Sequence, residues 1–237
     1  MSNSYFQFRQ FIIRQDQCAM KVCTDACILG AWFSEKISSY SRILDIGSGT
    51  GLLSLMLAQK SKGEIHGIEL DLNAFKQMKE NIAESNWKER VRAFPGDVRS
   101  FAFPGKYDFI ITNPPFFEGD LNAGTKEKNL ARHSTELTLS ALLEVIDGNL
   151  GSAGSFGILL PYHRTQYFEG LATGRRFHIR EKLLVKQTPG HDFFRSILYF
   201  SRNREHFVPV TEMSIRNGSG EYTDEFRELL ADYYLHL

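Results

Sequence analysis

Two hydrophobic periods alternate along the chain: short unbroken apolar runs, and longer stretches in which apolar positions recur every three or four residues. The runs Arg42 to Ile46, Ile65 to Leu70, Val91 to Phe94, Tyr107 to Ile111 and Phe156 to Leu160 read as buried strands. Between them, Leu52 to Ala58, Asp71 to Asn86 and Leu139 to Leu150 read as helices. Asp71 is placed to cap its helix, with Phe75, Met78 and Ile82 on the inner face. Strands alternating with helices in this way predict a doubly wound, mostly parallel α/β sheet. Upstream, Phe6 to Ile13 alternates as a strand or hairpin arm, and Thr24 is placed to cap a helix running through Ile37. Downstream, Ile179 to Lys186 and Phe193 to Ser201 pair as an antiparallel hairpin. No repeat, low-complexity tract or long linker interrupts the pattern, so residues 1–237 are expected to form one domain, with 1–40 an N-terminal extension and 41–237 the core.

The ends of the strands carry the chemistry. The strand from Tyr107 stops at Asn113, Pro114 and Pro115, because neither proline can donate to a ladder. Asn113 is thereby left at a carboxyl strand end, where open α/β sheets bind ligands. Its side-chain oxygen and the Pro114 carbonyl can accept from a flat NH2 group, and Phe116 offers a ring face on which to stack it. Asn-Pro-Pro alone is equally an ordinary exit from a strand. A cofactor signal elsewhere has to decide between the two.

That signal precedes it. Asp45 ends the strand at Arg42 to Ile46, and Gly47, Ser48, Gly49, Thr50 and Gly51 lead into the next helix, presenting backbone N–H groups with no side chains in the way. Glu69 ends the following strand about 20 residues on, the place of a carboxylate that receives ribose hydroxyls. A dinucleotide site would share these features, but the glycine spacing lacks the third glycine of that fingerprint. Asp45 also stands where a carboxylate can meet an ammonium. A ligand with both an amino-acid and a nucleoside part, S-adenosylmethionine, fits better. Gly96 and Asp97 end the third strand, and Asp97 can accept from the adenine amino group. The expected cofactor residues are Asp45, Gly47, Gly49, Gly51, Glu69, Asp97 and Asn113; the expected catalytic set is Asn113, Pro114, Pro115 and Phe116.

In this order of motifs the sequence resembles the class I S-adenosylmethionine-dependent methyltransferases with an Asn-Pro-Pro-aromatic motif. More narrowly, QDQCAMKVCTDACILGAW (Gln15 to Trp32), LDIGSGTGLLSLMLAQ (Leu44 to Gln59) and EYTDEFRELLADYYLHL at the end are similar to the tRNA adenine-N6 methyltransferases that modify the purine beside the anticodon of a valine tRNA. The resemblance runs from about Phe8 to the last residue. It implies a seven-stranded, mostly parallel sheet closed by an antiparallel hairpin, with helices on both faces. It also implies tRNA as partner and methyl transfer to adenine N6 at position 37. Glycine is usual in the family where Cys23 and Ala26 stand, which bears on the backbone around Thr24 and Asp25. Protein-glutamine methyltransferases use a similar pocket but carry a helical domain before the glycine turn, where this chain has about 43 residues that open like a strand. Ribosomal guanine methyltransferases would add a longer second lobe. A non-catalytic cofactor-binding module is a further reading, set against the complete motif set.

Composition refines this. With 28 basic and 28 acidic residues, any surface for a polyanion must be local. Two stretches qualify: Gly119 to Ser134, with Lys126, Lys128, Arg132 and His133, and Pro161 to His206, with nine basic residues against four acidic. Chance clustering on a solvated surface reads equally well for both. No apolar run is long enough to span a bilayer and no export segment opens the chain, so a cytoplasmic, monomeric protein is expected. Cys18, Cys23 and Cys27 fit neither zinc nor iron–sulfur spacing and read as small buried side chains. No metal is expected.

Overall fold

The computed structural model describes residues 3–18, 20–37, 39–115 and 137–237. Among them, strands β3 (Arg42–Ile46), β4 (Glu64–Glu69), β5 (Val91–Pro95), β6 (Tyr107–Thr112), β7 (Leu150–Pro161), β8 (His178–Lys186), β9 (Phe193–Ser201) and β10 (Val210–Ser214) form one sheet in the order β10-β8-β9-β7-β6-β3-β4-β5. From β7 to β5 every pairing is parallel, while β9 runs antiparallel to both neighbours. The chain reverses its direction of travel between β3 and β6, the switch point at which α/β sheets open a crevice. The strands at that point are flanked on both sides, mostly apolar and each buried at every position but one, as buried parallel strands are.

The sheet has eight strands where seven were expected. The extra one, β10, pairs parallel with β8 at the edge. It escaped the hydrophobic pattern because Met213 is its only buried residue. β7 also begins earlier than its apolar run, since Gly151, Ser152 and Ala153 extend it in half-exposed backbone. The hairpin arm read at Phe6 to Ile13 is a two-stranded ribbon, β1 (Tyr5–Gln7) with β2 (Ile12–Arg14).

Helices α1 (Thr24–Ser34), α2 (Leu52–Lys60), α3 (Leu72–Glu84), α4 (Leu139–Asn149), α5 (Thr165–Gly174) and α6 (Asp224–Leu230) pack against the sheet. One apolar cluster joins α1, α2, α3 and α6 to the strands and the other joins α4 and α5 to them, so both faces are covered. Asp71 caps α3 as expected, accepting from the backbone N–H groups of Asn73 and Ala74. Thr24 does not cap α1. Cys23 is the N-cap, with no side-chain hydrogen bond, and the helix ends at Ser34, short of Ile37. Cys23 is extended (φ −126°) and Ala26 is helical, so the two positions where glycine is usual demand no left-handed backbone here. The three cysteines are free thiols; Cys27 is fully buried, and burial pushes Cys23 and Cys27 up to about 12, far from the range in which a thiol reacts. No helix among the described residues is long and apolar enough to cross a membrane, and no group of three metal-ligating side chains comes together among them.

Candidate active site

The glycine turn sits between β3 and α2. Gly47, Gly49 and Gly51 all hold positive φ (69°, 55° and 85°), a conformation other residues adopt only at a cost of roughly 1 to 2 kcal/mol. The turn is tied to β4 by Gly47 and Ser48, whose N–H groups both donate to the Ile68 carbonyl. Behind it, Gly67 lets Met78 approach so closely that an added Cβ would lie 2.2 Å from Met78 Cε.

Asp45 lies under this turn, fully buried. Its Oδ2 accepts from the Ser54 amide (3.1 Å) and hydroxyl (2.7 Å), while its Oδ1 has no partner among the described residues. Burial pushes the carboxyl up to about 7; the Ser54 bonds oppose the rise and the nearby Glu69 charge adds to it. A buried acceptor left open in this way is costly unless something arrives to satisfy it. Glu69, at the end of β4, accepts from the Gly49 amide through Oε2 and from the Asp71 amide through Oε1, both at 2.8 Å, which fixes its carboxylate beside the turn.

Asp97 follows β5, two strands from β3. It is not an open carboxylate. Arg99 grips both its oxygens (3.0 and 2.9 Å from Nε), which holds its pKa below the ordinary aspartate value.

Asn113 directly follows β6. The register pairs Asp45 with Ile111 and Ile46 with Thr112, so the next step sets Gly47 level with Asn113. Thr112 Oγ1 donates to the Ile46 carbonyl (3.0 Å) and ties the two strand ends together. Asn113 Oδ1 is buried and, like Asp45 Oδ1, has no partner among the described residues. Pro114 is buried and Pro115 exposed. Phe116 and the stretch from Gly119 to Ser134 lie outside the described residues.

Asp45, the three glycines, Glu69, Asp97 and Asn113 thus share one edge of the sheet, on neighbouring strands. The open oxygens of Asp45 and Asn113 suit a ligand that brings donors, and the glycines leave room for it. Asp97 suits that ligand least, because Arg99 already occupies it.

Several residues that build this edge gave no motif. Ser54 orients Asp45. Asn81, 1% exposed on α3, donates to the carbonyls of Thr50 in the turn (2.9 Å) and Arg14 in β2 (3.1 Å), and accepts from the Arg14 amide (2.9 Å). Gln77, one turn earlier and fully buried, donates to Asp16 and accepts from the Gln17 amide. Polar residues on the inner face of an otherwise apolar helix stripe were the available signal.

Comparison with known proteins agrees with this architecture. Residues 26–141 match the family model of the methyltransferase small domain. Among solved structures, a predicted O-methyltransferase from Agrobacterium tumefaciens shares the fold, with a TM-score of 0.66 over 88% of this chain and 96% of its own, at 18% identity. Two curated relatives are much nearer in sequence. The tRNA1(Val) (adenine(37)-N6)-methyltransferase of Dyadobacter fermentans is 40% identical, over 98% of both chains. That of Bacteroides thetaiotaomicron is 38% identical, over the full length of both. Likeness of this degree from end to end, on a fold whose strand ends converge on one edge, makes the chain a member of the tRNA1(Val) (adenine(37)-N6)-methyltransferase family.

Proposed function

We propose that the edge formed by Asp45, the glycine turn and Asn113 is where this methyltransferase brings S-adenosylmethionine and an adenine of tRNA together, beside the anticodon at position 37. The observation that carries the reading is the pair of buried oxygens, Asp45 Oδ1 and Asn113 Oδ1, unpartnered among the described residues, at the ends of adjacent strands beside the glycine turn. Bound S-adenosylmethionine supplies a methyl group on a positively charged sulfur, open to displacement by a nitrogen lone pair.

The protein's own groups do the rest. Asp45 Oδ1 receives the ammonium of the amino-acid part, with Gly47, Gly49 and Gly51 leaving space for its backbone-like atoms. Glu69 accepts from the ribose hydroxyls, and Asp97 accepts from the adenine edge of the cofactor after Arg99 yields part of its grip. On the acceptor side, Asn113 Oδ1 and the Pro114 carbonyl accept from the target NH2, while Pro115 and Phe116 complete the pocket. Two such bonds turn the nitrogen lone pair out of conjugation with the ring. No strong base is required, because the nitrogen becomes acidic only once it carries the methyl group. Orientation then supplies much of the acceleration, and stacking on Phe116 contributes roughly 1 to 3 kcal/mol. A loop adenine is also easier to extrude than a paired one. As part of the same reading, the chain acts as a single methyltransferase domain in the cytoplasm, as a monomer.

Incubation with methyl-labelled cofactor and unmodified valine tRNA tests the reading. Label should appear as N6-methyladenosine at one site. Label at another base, in protein glutamine, or nowhere, defeats it.

A further inference from the structure

The basic residues between Pro161 and His206 look like one patch in the sequence, but the sheet divides them. Because β9 runs against β7 and β8, Arg175, Arg176, Arg180, Arg202 and Arg204 fall at the amino edge, away from Asn113. There Arg175, Arg180 and Arg202 pair with Glu144, Glu205 and Asp147. Arg164, Lys186 and Arg195 fall at the carboxyl edge, level with the candidate active site. Arg216, two residues past β10, joins them there from outside the stretch.

A cavity of about 270 Å³ opens among these cations, with Thr24, Asp25, Gln187, Phe194, Arg216 and Tyr222 in its wall. Its construction is layered. Tyr222 stacks on Phe226 (centroids 4.6 Å apart, 18° between planes), and the Arg216 guanidinium lies 4.3 Å over the Tyr222 ring. Both faces of Tyr222 are therefore covered, and the outer face of the exposed Arg216 is where the stack ends. A second such pair stands alongside it: Arg195 lies 5.1 Å over Phe194 and is held there by Asp25 at 2.7 Å. Among the described residues no carboxylate neutralises Arg216. Guanidinium planes backed by aromatic rings, with an amide and a carboxylate beside them, match the faces and edges of nucleobases.

The wall runs from Phe194 on β9, two strands from β6, to Arg216 just past β10, four strands from β6, so the cavity lies about 10 to 20 Å along the edge from Asn113. That is a reach of about three to six nucleotides at the stacked rise of about 3.4 Å. We propose that this cavity receives a nucleobase near the target adenine in the single-stranded loop, stacked on Arg216, with the charge of Arg216 facing its phosphates. The inference rests on the tRNA reading above. It also accounts for how a chain of zero net charge holds a polyanion: a few cations at one edge, mounted on aromatic rings.

The test is tRNA binding by the full chain with S-adenosylhomocysteine present, followed by fluorescence anisotropy. Arg216→Gln should weaken binding about tenfold, with the affinity for S-adenosylhomocysteine unchanged. Arg216→Lys should recover only part of the loss, because it keeps the charge and lacks the plane. Arg204→Gln, at the amino edge, should bind like the unaltered protein. Binding by Arg216→Gln within twofold of the unaltered protein would overturn the proposal. So would full recovery by lysine or an equal loss at Arg204, since either leaves only diffuse charge. Failure of the unaltered protein to methylate tRNA would instead sink the parent reading.

Discussion

Asp45→Asn should make the ligand-free protein more stable at alkaline pH while destroying cofactor binding. The rise of the Asp45 carboxyl from 3.8 to about 7 measures the cost of keeping a charge in that buried position. At about 1.4 kcal/mol per tenfold change in proton affinity, the cost is about 4 kcal/mol once the pH exceeds 7. The sign follows from proton counting: between pH 4 and 7 the folded chain binds a proton that the unfolded chain has released, so stability falls as pH rises through that window. Asparagine removes the charge, and its oxygen can still accept from Ser54. Its NH2 is then left unpaired where Asp45 Oδ1 was, which costs roughly 1 to 3 kcal/mol. The net gain is about 1 to 3 kcal/mol at pH 8, or a Tm higher by about 2 to 12 °C for a chain of this size. At pH 5 the carboxyl is already protonated in the folded state and its cost is only about 1.5 kcal/mol, so the gain should vanish. Thermal melts of both proteins at pH 5 and pH 8, without cofactor, measure this. A variant less stable than the parent at pH 8, or a difference that ignores pH, would refute the assignment of Asp45 as a strained carboxylate waiting for a cation.

If an ammonium settles on Asp45 Oδ1, its carboxyl must give up a proton on binding below about pH 7; calorimetry in two buffers of different ionisation enthalpy should therefore show proton release at pH 6 that fades at pH 8, and release unchanged between the two would refute it. Asn113→Ala should lower the transfer rate by about a hundredfold or more and leave cofactor affinity nearly unchanged. Loss of cofactor binding instead would mean that Asn113 belongs to the cofactor's side of the site. Gly51→Ala forces a side chain into φ +85° and sets its Cβ 3.0 Å from Met78 Cγ, so stability should fall by roughly 1 to 2 kcal/mol or more, with weaker cofactor binding read by titration. A melt unchanged from the parent would show that the turn adapts.

The candidate site was legible because its groups sit at strand ends, where an apolar run stops abruptly at a polar residue. Asp45, Glu69, Asp97 and Asn113 were each proposed from that boundary, and the cap at Asp71 followed from it too. What could not be read was anything set by packing between distant segments. Asn81 and Gln77 look like unremarkable helix residues until the fold lays β2 and the glycine turn against them. The grip of Arg99 on Asp97 depends on a side-chain rotamer rather than on a pattern. β10 gave no signal because an edge strand with one buried residue has no apolar run to show. The basic stretch misled for a topological reason: an antiparallel strand sends residues that are close in sequence to opposite edges of the sheet.

The bridge made by Asn81 has a consequence for how the protein breathes. A single amide group ties the Arg14 backbone to the Thr50 carbonyl, 67 and 31 residues away from it in the chain. Opening of the amino-terminal ribbon and opening of the turn are then one local event, not two, and share one opening free energy. In hydrogen exchange, amides around residues 12–17 should slow when the cofactor binds, and Asn81→Ala should let the two segments exchange independently.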